Sequence, residues 1–172
     1  YGVSWQLMLV DPDGLSTADE PRPFIVPSLM FGREAQNRAR EAIDLCVSLF
    51  PESRIGTVAE YPAPSGPAVT GAIMYADFQL AGQWFAAMDN GAGQEFGFDC
   101  GVSLEVDCSD QAEIDRYWVA LTAVPEAEQC GWLVDKFGVS WQIVPANMGE
   151  LMARPGGYEH MMQMKKLVIA DF

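Results

Sequence analysis

The chain has 172 residues, 49% of them hydrophobic and 20% charged, enough to fill one core of ordinary domain size. Ten Lys and Arg against 24 Asp and Glu give a net charge of −14, which excludes a phosphate-neutralising nucleic-acid surface and disfavours anionic membranes. No apolar run approaches the roughly 20 residues that span a bilayer, so a soluble, cytoplasmic protein with no nucleic-acid or membrane partner is expected.

Residues 1–10 open with Tyr1-Gly2-Val3-Ser4-Trp5-Gln6-Leu7, and the string returns almost unchanged as Phe137-Gly138-Val139-Ser140-Trp141-Gln142-Ile143. A repeat of domain length points to tandem domains rather than a solenoid. Residues 1–10 are therefore expected to be the last strand of a preceding copy, in a chain that is a fragment of a longer protein. Val3, Trp5, Leu7 and Leu9 alternate with Ser4, Gln6, Met8 and Val10, a pattern that seeks a sheet edge. Residues 11–23, rich in Pro and acids, read as a linker, and residues 24–172 as the complete domain with a helical C-terminal extension.

Phe24–Phe31 is a strand-like apolar run. Ala39, Ala42, Ile43, Cys46, Val47 and Phe50 then recur at helical spacing, and Pro51 stops that helix. Arg54–Tyr61, Val69–Leu80 and Gln83–Met88 read as strands, the last two joined by a tight hairpin at Ala81-Gly82. The order then repeats: a strand over Gly101–Asp107, then a helix capped by Ser109 with Ile114, Tyr117, Trp118 and Leu121 on one face. Trp132–Lys136 and Val139–Val144 are the last strands, and the tail reads as helical around Glu150 and Tyr158–Lys165. The predicted order is βαβββ twice, an α+β fold.

Strand parity sorts the side chains into two faces. Ile25, Leu29, Phe31, Phe85, Val102, Leu104, Val106, Val139, Trp141 and Ile143 form a uniformly apolar face to lie beneath the helices. The other face carries Val26, Ser28, Met30, Trp84, Ala86, Met88, Gly101, Ser103, Glu105, Ser140, Gln142 and Val144, a mixture suited either to a cavity wall or to open solvent.

Val47-Ser48-Leu49-Phe50-Pro51-Glu52-Ser53, Asp115-Arg116-Tyr117-Trp118, the block Gln129–Pro145 and the tail Met162-Gln163-Met164-Lys165-Lys166 together resemble the PhnB-like family. That family, often labelled 3-demethylubiquinone-9 3-methyltransferase, falls in the vicinal oxygen chelate superfamily with glyoxalase I and the bleomycin-resistance proteins. The resemblance implies paired βαβββ modules, U-shaped mixed sheets with helices outside, and assembly as a homodimer. It covers the chain from about Phe24 onward. Two departures stand out: Gln94-Glu95 where other members often carry a His, and extra residues around Gln36–Arg38.

The metal-dependent relatives hold an ion through four His or Glu side chains. By the resemblance, those slots fall at Gln142, Ala86, and near Val26 and Gly101, which supply one amide oxygen and no charged donor, so neither a metal nor another cofactor is expected. The ligand-binding candidates are Ser28, Met30, Trp84, Met88, Ser103, Glu105, Ser140 and Gln142. Glu105 is the weak catalytic candidate: walled in by Trp84 and Met30, it would be a general base. Asp89 is weighed between ligand contact and loop capping, and His160 is assigned to the surface. Trp132 and Trp141 are assigned to core or dimer packing, and Met161, Met162 and Met164 to docking the tail. The four cysteines show no metal spacing and read as reduced thiols.

The leading expectation is a metal-free protein that binds or sequesters a small molecule, cationic or aromatic, at a dimer cavity. The alternatives are a lyase, isomerase or dioxygenase of the same superfamily, using a nonclassical metal or Glu105 as general base, a scaffold whose cavity its own side chains fill, and the methyltransferase of the family label. The last is disfavoured, because Gly91-Ala92-Gly93 precedes a predicted strand rather than the helix a cofactor-binding turn requires.

Overall fold

A computed structural model describes residues 4–7 and 22–172. The predicted interdomain linker and most of the predicted first strand lie outside these residues. Ser4–Leu7 pair with no strand among the described residues, and Trp5 and Leu7 are exposed.

Two mixed sheets carry helices on one side, the α+β arrangement expected. The first has the strand order β1-β4-β3-β2, with β1 (Ser28–Phe31), β2 (Arg54–Glu60), β3 (Ile73–Leu80) and β4 (Gln83–Asp89). Strand β1 runs parallel to β4 with Ser28 opposite Ala86 and Met30 opposite Met88, and β3 is antiparallel to both its neighbours. The crossover from β1 to β2 is α1 (Ala39–Leu49), whose buried face is Ala39, Ala42, Ile43 and Cys46. Phe50 leaves the helix in extended conformation and Pro51 prevents its continuation.

The second sheet has the order β5-β7-β6, with β5 (Ser103–Cys108) parallel and β6 (Trp132–Val134) antiparallel to β7 (Ser140–Pro145). It has one strand fewer than the predicted repeat. In place of the fourth strand, Thr122–Gly131 runs through a short 3-10 turn at Pro125–Ala127 and touches the sheet only near its two ends, where the Ala123 N–H donates to the Val134 carbonyl and the Gln129 N–H to the Trp132 carbonyl. Proline has no N–H for a ladder, which accounts for the interruption.

Helix α2 (Gln111–Leu121) packs Ile114, Tyr117, Trp118 and Leu121 inward. Its cap is Asp110 rather than the predicted Ser109: Asp110 is extended and its carboxylate accepts the Glu113 N–H. Glu113 reaches back to the Ser109 N–H and hydroxyl, a capping box displaced by one residue. The tail holds α3 (Met148–Met152) and α4 (Gly157–Gln163), which gather with Leu167 and Phe172 into a second small core.

One larger core joins both halves. Phe50 stacks on Tyr117 and Trp141, and Phe31 meets Phe98 and Phe137 edge-on. Most of the predicted apolar face lies in or against this core. Ile25 and Val102 do not: each precedes its strand, where alternation has not begun, and both are exposed. The mixed face of each sheet is thereby turned away from α1 and α2, and on the second sheet it meets the tail helices α3 and α4.

Candidate functional site

On the second sheet the mixed face opens into a groove of about 360 Å³, floored by Glu105, Gln142 and Val144 and walled by Trp132, Cys130 and Met161. Ladder register makes this floor. Glu105 lies opposite Gln142 in the parallel β5–β7 pair, and Trp132 lies opposite Gln142 in the antiparallel β6–β7 pair. The Gln142 Nε2 donates to Ser103 Oγ at 2.8 Å, which fixes the amide plane. Cys130 reaches the rim because Cys130-Gly131 forms a tight turn, with φ of 52° and 87°, that returns the chain from Gln129 to Trp132. Met161 comes from α4, so the tail closes one side.

Of the second-sheet candidates, Glu105 and Gln142 line the groove and Ser103 supports it. Ser140 is buried, and its hydroxyl donates to the Asp99 carbonyl at 3.3 Å, holding the crossing loop to β7. Glu105 is exposed, and the Trp84 and Met30 expected to enclose it belong to the other sheet, so the enclosure on which its catalytic assignment rested is not formed. Trp132, assigned to core or dimer packing, is half-buried and lines the groove wall.

The first-sheet candidates form a separate group. Ser28, Met30, Trp84 and Met88 share the face of β1 and β4 that looks away from α1, and none of them lines the groove. The same face on β3 presents Tyr75, Asp77 and Gln79, which the sequence reading did not single out. Their signal was available: Tyr75, Asp77 and Gln79 alternate with the buried Ala76, Phe78 and Leu80 at period two.

The remaining candidates have structural roles. Asp89 is buried at the end of β4, where its carboxylate accepts the Ala39 N–H at the start of α1 and the Ile73 N–H, so it caps backbone and does not face a ligand. Burial is the larger influence and holds its pKa above the usual carboxylate value. Asp135 does the same for the β6–β7 turn, accepting from the Phe137 and Val139 N–H groups and from the Trp141 indole. Burial raises its pKa too. His160 is exposed on α4, and Trp141 is core, as assigned. Met161 and Met164 pack on the tail cluster, while Met162 stays largely exposed. All four cysteines are free thiols, and burial pushes Cys46 up to about 12 and Cys108 to about 11, far from a reactive thiolate.

The slots of the metal-dependent relatives do not fit a divalent ion. Val26 and Gly101 lie before their strands, the Ala86 side chain offers no electron pair, and Gln142 supplies a single neutral amide oxygen, which alone cannot hold a divalent ion. Among the described residues, no three His, Cys, Asp or Glu side chains converge as a metal site.

Comparison with known proteins is consistent with this architecture. The family model for 3-demethylubiquinone-9 3-methyltransferase matches residues 23–144. A putative 3-demethylubiquinone-9 3-methyltransferase, a PhnB protein from Bacillus cereus, is 32% identical, with 72% of this chain and 100% of that chain aligned and a TM-score of 0.60. A protein from Staphylococcus aureus is 31% identical over 74% of this chain and 99% of its own, with a TM-score of 0.34. The fold is shared with protein PA1353 from Pseudomonas aeruginosa, 21% identical over 69% of this chain and 94% of its own, with a TM-score of 0.53. No curated protein matches the chain.

Proposed function

The chain belongs to the PhnB-like family, labelled 3-demethylubiquinone-9 3-methyltransferase, and from that premise we propose that it binds a small molecule on the polar face of its second sheet without a resident metal. The observation that carries this reading is the groove of about 360 Å³ over Glu105, Gln142 and Trp132, which falls within the size range of small-molecule pockets. Its make-up suits an aromatic or alkyl body with a polar or cationic head. Trp132 and Met161 supply apolar walls, Gln142 an oriented amide, and Glu105 and Asp107 negative charge along the β5 side. The net charge of −14 steers cations toward such a groove. Assembly as a homodimer is part of the proposal and rests on the family resemblance.

The family label names a methyl transfer that this site does not favour. Gly91-Ala92-Gly93 leads into an irregular segment that ends at β5, so it cannot place a helix N-terminus against a cofactor. Superfamily chemistry with Glu105 as base has the exposed carboxylate against it.

The test is titration of the protein with a panel of aromatic amines, led by tyramine, read by tryptophan fluorescence and calorimetry, with metal analysis of the same sample. Saturable binding that weakens about tenfold in Gln142→Leu is expected, a loss equal to one good hydrogen bond. Equal affinity in Gln142→Leu, or no saturable binding across the panel, overturns the site. Stoichiometric zinc, nickel or iron overturns the metal-free reading.

A further inference from the structure

On the first sheet, outside the lining of the groove, a carboxylate has been given an unusual setting. Asp77 sits at the centre of β3, an interior strand, and is only 6% exposed. A buried carboxylate needs partners to remain ionised. One is the Thr57 N–H, which donates to Asp77 Oδ1 at 2.7 Å. That N–H is free to do so because β2 has a bulge between Ile55 and Val58, which breaks the β2–β3 ladder at Gly56-Thr57. The bulge also requires glycine: a Cβ on Gly56 would overlap Asp77 Oδ1. On the other side the neighbour in register is Ala86. Small residues on both adjacent strands thus leave the carboxylate recessed, with the Tyr75 ring beside it on the same face.

The second partner comes from outside the sheet. Arg22 reaches in from the segment before β1 and donates from Nη1 to Asp77 Oδ2 at 3.0 Å, with its guanidinium carbon 5.9 Å from the Tyr75 ring centroid. Arg22 is in no helix or strand and its side chain retains 28% exposure. The sheet supplies a fixed carboxylate and an aromatic face, while the cation comes from outside the strands, on the segment that joins the sheet at Pro27, whose carbonyl accepts the Ala86 N–H.

We propose that this recess is a second binding site, specific for the guanidinium or ammonium group of a small organic cation, and that Arg22 is a tethered occupant which the ligand must displace. Carboxylate and aromatic ring together are the recognition elements for such cations. A group attached to the chain competes at millimolar effective concentration, so occupancy by Arg22 lowers apparent affinity for a free cation by the fraction of time the recess is filled. Release of the segment before β1 would open the site.

The test uses phenylguanidine as probe and phenylurea as its neutral counterpart, titrated calorimetrically into the full chain and into Arg22→Gln, Asp77→Asn and the double variant. Arg22→Gln is expected to bind phenylguanidine about tenfold more tightly than the unsubstituted chain. Titrated in the Gln142→Leu background, where the groove binds weakly, Asp77→Asn and the double variant are expected to lose the phenylguanidine binding that Gln142→Leu alone keeps, which separates this site from the groove. Unchanged or weaker affinity in Arg22→Gln would show that Arg22 is a structural pin and overturn the proposal, as would phenylguanidine affinity in the Gln142→Leu background that is unchanged by Asp77→Asn or matched by phenylurea. If circular dichroism shows Arg22→Gln unfolded, the unsubstituted chain decides: phenylguanidine must move the Tyr75 ring resonances where phenylurea does not, and no movement overturns the proposal.

Discussion

Carboxylates dominate this chain, and the structure gives individual ones opposite tasks. Glu41, on the exposed side of α1, takes hydrogen bonds from Arg38 and Lys136, and the first of these is the larger reason that its pKa falls from 4.5 to about 2. The pair with Lys136 ties α1 to the β6–β7 turn. Because the folded pKa is depressed, its contribution is complete above 4.5 and is lost as pH falls toward about 2. Both side chains of the Glu41–Lys136 pair are 48% exposed, so screening holds the contribution below about 1 kcal/mol. Glu41→Gln is therefore expected to lower stability by less than about 1 kcal/mol in urea unfolding at neutral pH and low salt. The difference should vanish near pH 2 and in molar salt. Asp135, one residue before Lys136, responds with the opposite sign. Burial raises its pKa, so the cost of keeping it ionised eases as pH falls through that raised value.

At the scale of elements, the turns decide which side chains the strands present. The β3–β4 hairpin closes through Ala81 and Gly82, both at positive φ (47° and 78°), the mirror-image turn that suits strand twist. Glycine adopts this freely; alanine carries a strain of about 1–2 kcal/mol. Ala81→Asn, which keeps the backbone N–H bonded to Ser53 Oγ, is expected to raise stability by up to about 1 kcal/mol, read as a shift in the urea midpoint without a change in slope. That hairpin was legible in the sequence, as were α1, α2 and the inward parity of Phe85, Trp141 and Ile143, because strong periodicity and a Gly turn agree there. Less legible was anything that breaks period. The bulge at Gly56-Thr57 carries no hydrophobic signature, so the recess around Asp77 did not announce itself. The missing fourth strand of the second sheet depended on a single Pro125 within a segment of mixed composition. Strand ends were overrun at Ile25 and Val102 because apolar residues continue past the last ladder bond. The groove was half legible: parity found Glu105 and Gln142, but Cys130, Met148 and Met161 arrive from a turn and from the tail, which no strand pattern places.

For the molecule as a whole, the question is whether two halves with separate sheets are two folding units. The aromatic seam argues that they are one. Phe50, at the end of the first half's helix, lies 4.9 Å from the Tyr117 ring and 5.5 Å from Trp141 in the second half, near-parallel to both. Phe31 at the end of β1 contacts Phe98 of the crossing loop and Phe137 of the β6–β7 turn. Residues of both halves thus belong to one cluster of buried side chains, and a core shared in this way is expected to unfold cooperatively. Phe50→Ala removes the ring common to both stacks and is expected to cost about 3–5 kcal/mol. Tryptophan fluorescence, reporting Trp84 in one half and Trp118, Trp132 and Trp141 in the other over a constant signal from the exposed Trp5, should follow the same denaturant curve as far-ultraviolet circular dichroism in the unsubstituted chain. In Phe50→Ala both curves should move together to lower urea. Curves that separate in the variant but coincide in the parent would locate the coupling at Phe50 itself, whereas curves already separate in the parent would mean that each sheet with its helix holds its own core.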